Sequence, residues 1–470
     1  MHIQLDNRSI AFIGAPVALI RALDRRTAFK QEGHRFHPAF RRGWWDGRVH
    51  LIRKLRGQTG FLAPVGLLPD LLEIATEMGV EVEVEDKRRK PTRRIHTDWN
   101  PKYEMREYQS EAVDTVVEDR GYLTGKGLLR LPTRSGKTII AAKIVDRLKV
   151  TTLFLVQSEM LLNQAREQLY DALRIEIGQV GSGVWEPKAV TVASVQTLTR
   201  RLNGADTRLL FENKDCVIFD ECHHLEGNKW RQTLERCDAL YKIGLSATIF
   251  LNSPEGTPKS TIWLRATTGP ILYELEPSYL IRQGYLIQPC VRLIKITEPT
   301  VNTDSYGEAY QDGVIYHEVR NARIVAEAKE AVERGLSVLI ITRRILHVQL
   351  LESMLEAVGL KVGTLTGSSE PELRRQHVAS YKTGDISVLL GTVFGEGVDI
   401  PCIECVINAE GGKSDKATIQ RFRNLTPSPG KERAELVDFM DMTHRLLARH
   451  SLARLQMYRS LEAFQLEIIP

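Results

Sequence analysis

Along most of the chain the apolar residues follow one rhythm. Short runs of four to seven, LLRLP, TLFLVQ (152–157), AVTVAS (189–194), CVIFDE (216–221) and KIGLSA (242–247), alternate with stretches of helical spacing. A strand buried on both faces has no polar side to alternate, so continuous apolar strands between helices predict a parallel sheet covered on both faces. The rhythm restarts after a polar stretch near 296–312, with SVLIIT (337–342), KVGTLT (361–366), SVLLGT (387–392), ECVINA (404–409) and AELVDF (434–439). Two α/β domains of similar design are expected, over 101–285 and 286–470, with the boundary falling near 275–295. The front differs. HIQLD, RVHLIRKL and VEVEVE alternate with period two around one helical stretch, PDLLEIATEM, which predicts a small α+β domain over 1–90. KRRKPTRRIHTDW (87–99) sets six basic residues around a proline and marks a basic linker, drawn at 91–100. Leu452, Leu455, Tyr458 and Leu461, at three-residue steps, predict a packed C-terminal helix.

Composition adds bounds. A chain of 470 residues has room for about three domains. No window approaches the ~20 apolar residues that a bilayer requires. The start, MHIQLDNRSI, lacks a basic segment leading into an apolar core, so no secretory leader is read. Six scattered cysteines suit a reducing compartment, and the lone Cys402-x-x-Cys405 reads as strand cysteines rather than a zinc site. A cytoplasmic location, which is the host cytoplasm for a phage protein, and no membrane partner are expected.

The net charge of +5 changes the picture once it is located. Residues 1–100 hold 18 Lys+Arg against 12 Asp+Glu, a net of +6, and the remaining 46 and 47 give −1. Within 21–56 there are 11 basic side chains against three acidic ones. That density is the footprint of a surface for a polyanion. In RRGWWDGRVHLIRKL (41–55), Arg41, Arg42, Trp44, Trp45 and Arg48 combine guanidinium groups with aromatic faces, which together hold phosphates and stack on bases. A tryptophan of a small domain is more often core, so one of the pair is expected buried and the other exposed.

The candidate chemistry lies in the second segment. LPTRSGKT (131–138) ends a strand at Leu131 and opens a helix near Gly136, leaving backbone N–H groups free for phosphates. Thr133, Ser135, Gly136, Lys137 and Thr138 are the candidate nucleotide ligands. Lys137 reaches the β and γ phosphates of ATP, and the Thr138 hydroxyl binds Mg²⁺. The full GxxxxGK[ST] pattern is not met: Leu131 holds the first glycine place, and Arg134 stands where many related loops have glycine. Asp220 and Glu221 follow 83 and 84 residues after Lys137, at the carboxyl end of an apolar strand. Asp220 suits Mg²⁺ and Glu221 suits a base that deprotonates the attacking water. His223 is read as a sensor of the site, against a bland loop histidine.

DECHH (220–224), LSAT (245–248), GTVFGEGVDIP (391–401) and the upstream MREYQ (105–109) resemble the superfamily 2 helicase core, over about 100–445. The resemblance implies two RecA-like domains and an ATP-hydrolysing motor on DNA. It implies that Arg106 and Gln109 read adenine, and that Ser246 and Thr248 couple nucleotide state to domain movement. Gln157, Ser158, Ser194, Gln196, Arg343 and Thr392 would hold the nucleic-acid backbone, and Gly397 and Asp399 would face the nucleotide. QRFRNLTP (420–427) departs from the family's QRxGRxxR, which leaves Arg421 and Arg423 as candidates for the arginine that stabilises transition-state charge. The front segment, FHPAFRRGWWDG followed by GFLAPVGLLPDLL, resembles the N-terminal domain of the UvsW-type helicases of tailed phages. That implies, as for the RecG type, branched DNA as partner: forks, Holliday junctions and R-loops with their RNA–DNA hybrid, worked on by a monomer. Two other readings stand beside it: a duplex translocase of a larger complex, and a DNA-binding module with a vestigial motor.

Overall fold

Each of the three patterns becomes a sheet. The computed structural model describes the chain except residues 32, 56–58, 92, 120, 133, 223–232, 248–258, 368, 393–402, 413–433 and 460–463. It divides into two compact units, Met1–Leu275 and Glu276–Pro470. Among the described residues no helix is long and apolar enough to cross a membrane.

The first unit opens with β1 (His2–Leu5), β2 (Ser9–Ile13), β3 (Phe29–Lys30), β4 (Arg48–Val49), β5 (Arg53–Lys54), β6 (Gly60–Pro64) and β7 (Glu83–Asp86). Five of them form a sheet in the order β5-β6-β2-β1-β7, and β3 pairs only with β4. Alternate residues of β1 and β2 are buried, as period-two patterning demands. RVHLIRKL is not one strand. It is cut into β4, in the separate ribbon, and β5, at the sheet edge, with the buried Leu51 between them.

The helices Val17–Thr27 and Leu68–Glu77 lie on this sheet, and the core they close is shared. Ile3, Phe12, Leu19, Leu23 and Leu71 pack in one cluster with Ile262, Trp263 and Ala266 from the helix Lys259–Thr268. A Cβ on Gly66 would lie 2.0 Å from the Arg265 carbonyl oxygen, so the approach of the two backbones requires glycine. The buried Asp70 carboxylate accepts from Arg265 Nη2 at 2.9 Å and meets Arg26 Nε at 2.9 Å. The basic stretch after β7 is a strap bonded to segments further along the chain. Arg88 donates to Tyr122 O, Arg89 to Glu212 O and Lys214 O, and Arg94 to Leu148 O.

The second sheet contains β8 (Lys126–Arg130), β9 (Thr152–Val156), β10 (Ile177–Gly181), β11 (Val184–Glu186), β12 (Val190–Ser194), β13 (Cys216–Phe219), β14 (Tyr241–Ser246) and β15 (Ile271–Glu274). Their order is β11-β10-β12-β9-β13-β14-β8-β15, parallel except for the β10·β11 hairpin. Every residue of β9, β12 and β13 is buried, which is why these strands read as unbroken apolar runs.

The second unit is built on β16 (Cys290–Ile296), β17 (Val338–Ile341), β18 (Val362–Leu365), β19 (Val388–Gly391), β20 (Cys405–Asn408), β21 (Glu435–Asp441) and β22 (Gln465–Ile469). All pairings in its order β18-β19-β17-β20-β21-β16-β22 are parallel. The C-terminal helix, Arg445–Arg459, buries a seam different from the leucine stripe. Leu455 and Tyr458 are inside, but Leu452 is 45% exposed, and the buried face is completed by Leu447, Ser451 and Arg454. Arg454 is buried because Asp438 pairs with its Nε at 2.9 Å while Gly412 O and Phe439 O accept from its remaining nitrogens. Leu461 lies outside the described residues.

Candidate nucleotide and nucleic-acid site

The carboxyl edge of the second sheet gathers most of the candidate residues. β8 runs into the loop 131–136, and the helix Lys137–Leu148 starts at Gly136, whose φ is +79°. The N-cap is a glycine, and among the described residues no side chain caps this helix, so its first N–H groups point outward with the positive end of the helix dipole. The Ser135 hydroxyl is buried without a hydrogen-bond partner among the described residues. A buried polar group lacking a partner is costly, and a phosphate oxygen would satisfy it. Thr138 lies half-buried in the first turn.

Both departures of the loop from the glycine-rich pattern have a local account. Leu131 is fully buried, and its N–H donates to Ser246 O at 2.9 Å, so this position serves the core. Arg134 has φ +71°, the left-handed region that glycine adopts freely. The backbone keeps the glycine conformation under an arginine side chain.

β13 ends beside this loop in space, separated from β8 by β14 alone. Lys137 Nζ meets Glu221 Oε1 at 2.7 Å. Burial by itself would lower the Lys137 ammonium, and the charges of Glu221 and Asp220 outweigh it, so the net shift is upward. Asp220 Oδ1 accepts the Glu221 N–H at 3.1 Å, and Glu221 holds a left-handed backbone at φ +49°. Ser246 is the last residue of β14, fully buried between the two loops. Asp220 and Thr138 offer the oxygen donors that Mg²⁺ takes, and the uncapped helix suits the phosphates it would accompany.

Gln109 and Arg106 form the start of the helix Glu107–Val117. Gln109 Oε1 accepts the Arg106 N–H at 3.0 Å and its Nε2 donates to Ser135 O at 3.0 Å. Both ends of this amide are engaged, which fixes its orientation and leaves a second lone pair on Oε1 for a base. Tyr108, inside MREYQ but passed over in the sequence, donates its hydroxyl to the same Ser135 carbonyl at 2.9 Å. Its signal was its place between two selected residues.

The candidates for nucleic-acid backbone occupy the neighbouring strand ends. Gln157 and Ser158 follow β9, and Ser194 ends β12, in register with Val156. The Gln157 Oε1 is buried without a partner among the described residues. Ser158 Oγ accepts from Leu161 N at 3.3 Å and caps the helix Glu159–Leu173. Ser194 is 1% exposed, whereas Gln196 is exposed. One sheet edge thus carries two adjacent groups: β12 and β9 for one, β13, β14 and β8 for the other. In the second unit Arg343 and Thr392 follow the paired strands β17 and β19, Arg343 exposed and Thr392 half-buried. Thr133, His223, Thr248, Gly397, Asp399, Arg421 and Arg423 lie outside the described residues.

In the front domain Trp44 is 75% exposed with the Arg42 guanidinium 5.1 Å from its ring, while Trp45 is half-buried and donates its indole N–H to Arg48 O at 2.6 Å. Arg41 and Arg42 are exposed and Arg48 is half-buried. Phe36, 77% exposed, stands in the same stretch. It was legible in FHPAFRRGWWDG but overshadowed by the tryptophans.

Three family models match this chain: a DNA helicase UvsW N-terminal domain over residues 1–85, a type III restriction enzyme res subunit over 102–251, and a helicase conserved C-terminal domain over 321–423. The DNA 3′–5′ helicase XPB of Kineococcus radiotolerans is 27% identical over 318 residues, which are 65% of this chain and 54% of that protein, so the chain spans about half that relative's length. The ATP-dependent DNA helicase uvsW of Enterobacteria phage T4 is 22% identical over 447 residues, 88% of this chain and 85% of that protein. Among solved structures, the Mycobacterium smegmatis helicase Lhr bound to ssDNA and AMP-PNP superposes with a TM-score of 0.53 at 18% identity, over 77% of this chain and 49% of that one, a likeness of fold. These matches support a superfamily 2 helicase, with two RecA-like domains behind a small α+β domain. Within that class the front-domain match and the phage relative together point to the UvsW type.

Proposed function

We propose that this chain is an ATP-dependent DNA helicase that unwinds or branch-migrates forked and other branched DNA. The observation that carries the reading is the Lys137–Glu221 pair at 2.7 Å beneath an uncapped helix start. A cation for phosphate and a carboxylate for water stand side by side there, at the carboxyl ends of parallel strands, where such sheets bind ligands.

In this reading Lys137 transfers its attraction from Glu221 to the β and γ phosphates when ATP binds, and Glu221 is freed to orient and deprotonate the attacking water. Thr138 and Asp220 would hold a Mg²⁺ that neutralises charge on the phosphate oxygens. Tyr108 and Gln109 fix the Ser135 carbonyl, which keeps the loop open toward the phosphates. The ends of β9 and β12, with Arg343 and Thr392 of the second unit, engage the DNA backbone. Arg421 or Arg423 supplies the transition-state arginine. The front domain grips duplex through Arg41, Arg42 and Arg48.

Lys137→Ala is expected to lower DNA-stimulated ATP hydrolysis by about a hundredfold or more while DNA binding persists. Hydrolysis indifferent both to DNA and to this substitution would sink the reading. A panel of fork, Holliday junction, R-loop and plain duplex substrates then tests the branched-DNA part, which fails if plain duplex is worked on equally well.

A further inference from the structure

Residues 31–47 leave the front domain as an excursion closed at its base. β3 and β4 pair Phe29 with Val49 and Lys30 with Arg48, and the Gln31 N–H donates to Gly47 O at 2.8 Å. Inside it, a turn at His34–Phe36 leads to the short helix Pro38–Arg41. The His34 ring stands edge-on to Phe40 at 4.9 Å, and His37 edge-on to Trp45 at 5.3 Å. Trp44 N–H donates to Ala39 O at 2.9 Å. Gly47 has φ +79°, and a Cβ there would lie 2.7 Å from the His34 ring. The excursion is thus tied together by ring contacts of its own, with His34, Phe40 and Trp45 half-buried and His37 exposed.

Two of its side chains are of another kind. Phe36 and Trp44 are among the most exposed large apolar side chains described, at 77% and 75%. They stand in solvent although an apolar core lies within the same domain. Their neighbours in the chain are Arg35, Arg41 and Arg42. The described ion pairs of this region join Arg26 to Asp70 and Glu73, and His50 to Asp24 and Asp46; these three arginines take part in none. Exposed rings flanked in the chain by guanidinium groups that pair with no carboxylate among the described residues suit an unstacked base with its phosphates, whereas an apolar protein partner would meet a rim of positive charge.

We propose that residues 31–47 form a strand-separating pin, in which Phe36 and Trp44 stack on the base pair at a DNA branch point while Arg35, Arg41 and Arg42 hold the phosphates beside it. This rests on the DNA reading above and assigns it a point of action. Paired duplex offers rings only at its ends, so the pin acts at branch points and leaves plain duplex to the surrounding arginines.

The test uses the full chain and a fork carrying 2-aminopurine at the branch point, without nucleotide, so that it does not depend on the motor. The parent is expected to change the fluorescence of that base. The double variant Phe36→Ala, Trp44→Ala should weaken the response by at least about tenfold. It should bind plain duplex within about twofold of the parent. The pair Phe36→Tyr, Trp44→Phe should restore the response, because it keeps both rings. A double variant that perturbs the base as the parent does overturns the pin, as does a parent that binds the fork and leaves the base unperturbed. A parent that binds neither fork nor duplex overturns the DNA reading itself, and the pin with it.

Discussion

Two stretches of the front half are equally rich in arginine and have opposite fates. Arg41 and Arg42 are exposed, one donating to a neighbouring carbonyl and the other lying over an indole ring. Arg88, Arg89 and Arg94 each donate to backbone carbonyls of the first RecA-like domain, and Arg89 adds Asp215 at 3.2 Å. Counting charge along the sequence weighs both stretches alike. What separates them is whether carbonyl oxygens of a different domain have taken up the guanidinium donors. The excess of basic residues covers both stretches, and only one of them leaves its guanidinium groups exposed.

The contrast can be broken by substitution. Arg89→Ala should have the largest effect on stability, lowering it by about 2–3 kcal/mol, because two carbonyls and a buried carboxylate lose a charged donor. Denaturant unfolding measures this, and the salt dependence of DNA affinity should stay unchanged. Arg41→Ala with Arg42→Ala should do the reverse. Unfolding should shift by no more than about 0.5 kcal/mol. The slope of log affinity against log salt should fall by about 0.9 for each phosphate that the variant no longer neutralises. If Arg89→Ala lowers the salt slope instead, the strap belongs to the DNA surface and the distinction collapses.

A smaller effect sharpens the exposed side of the comparison. His50 links the base of the excursion to the helix Val17–Thr27, and its hydrogen bond to Asp24, more than that to Asp46, raises its pKa from 6.5 despite partial burial. A histidine raised in the folded state stabilises fully below its unfolded value and loses that contribution as pH climbs through the folded one. Hydrogen-exchange protection of the Gln31 amide should therefore fall as pH climbs above about 6.5 and through the raised folded pKa. His50→Gln should remove that pH dependence. The smallest shift is expected at Arg134, whose backbone already has a glycine conformation: Arg134→Gly should raise stability by less than about 1 kcal/mol, read as a small increase in Tm. A large loss there would mean that the side chain holds the loop.

Much of this is legible in the sequence alone. Strands such as β9, β12 and β13 are buried on both faces, so their apolar runs announce them. The neighbourhood of Lys137 and Glu221 follows from two loops that each close a parallel strand. Other features depend on contacts that periodicity does not register. The C-terminal helix buries Arg454 and leaves Leu452 outside because Asp438, in another strand, receives the arginine. Trp44 and Trp45 are adjacent in sequence, and their environments diverge through the Trp45 bond to Arg48 O. β22 went unread, since the burial pattern of QLEII does not alternate and its pairing with β16 is set across more than 160 residues.

The apolar cluster that joins Ile3 and Leu71 to Trp263 bears on how this protein can be dissected and how it evolves. A front domain with a core of its own could be grafted onto another motor or clipped off by a protease, leaving a working remnant. Here truncation before the strap would strip the cover from Ile262, Trp263 and Ala266, and the remnant should aggregate. Front and motor therefore fold as one, and a substitution on either side of that seam is expected to weaken both.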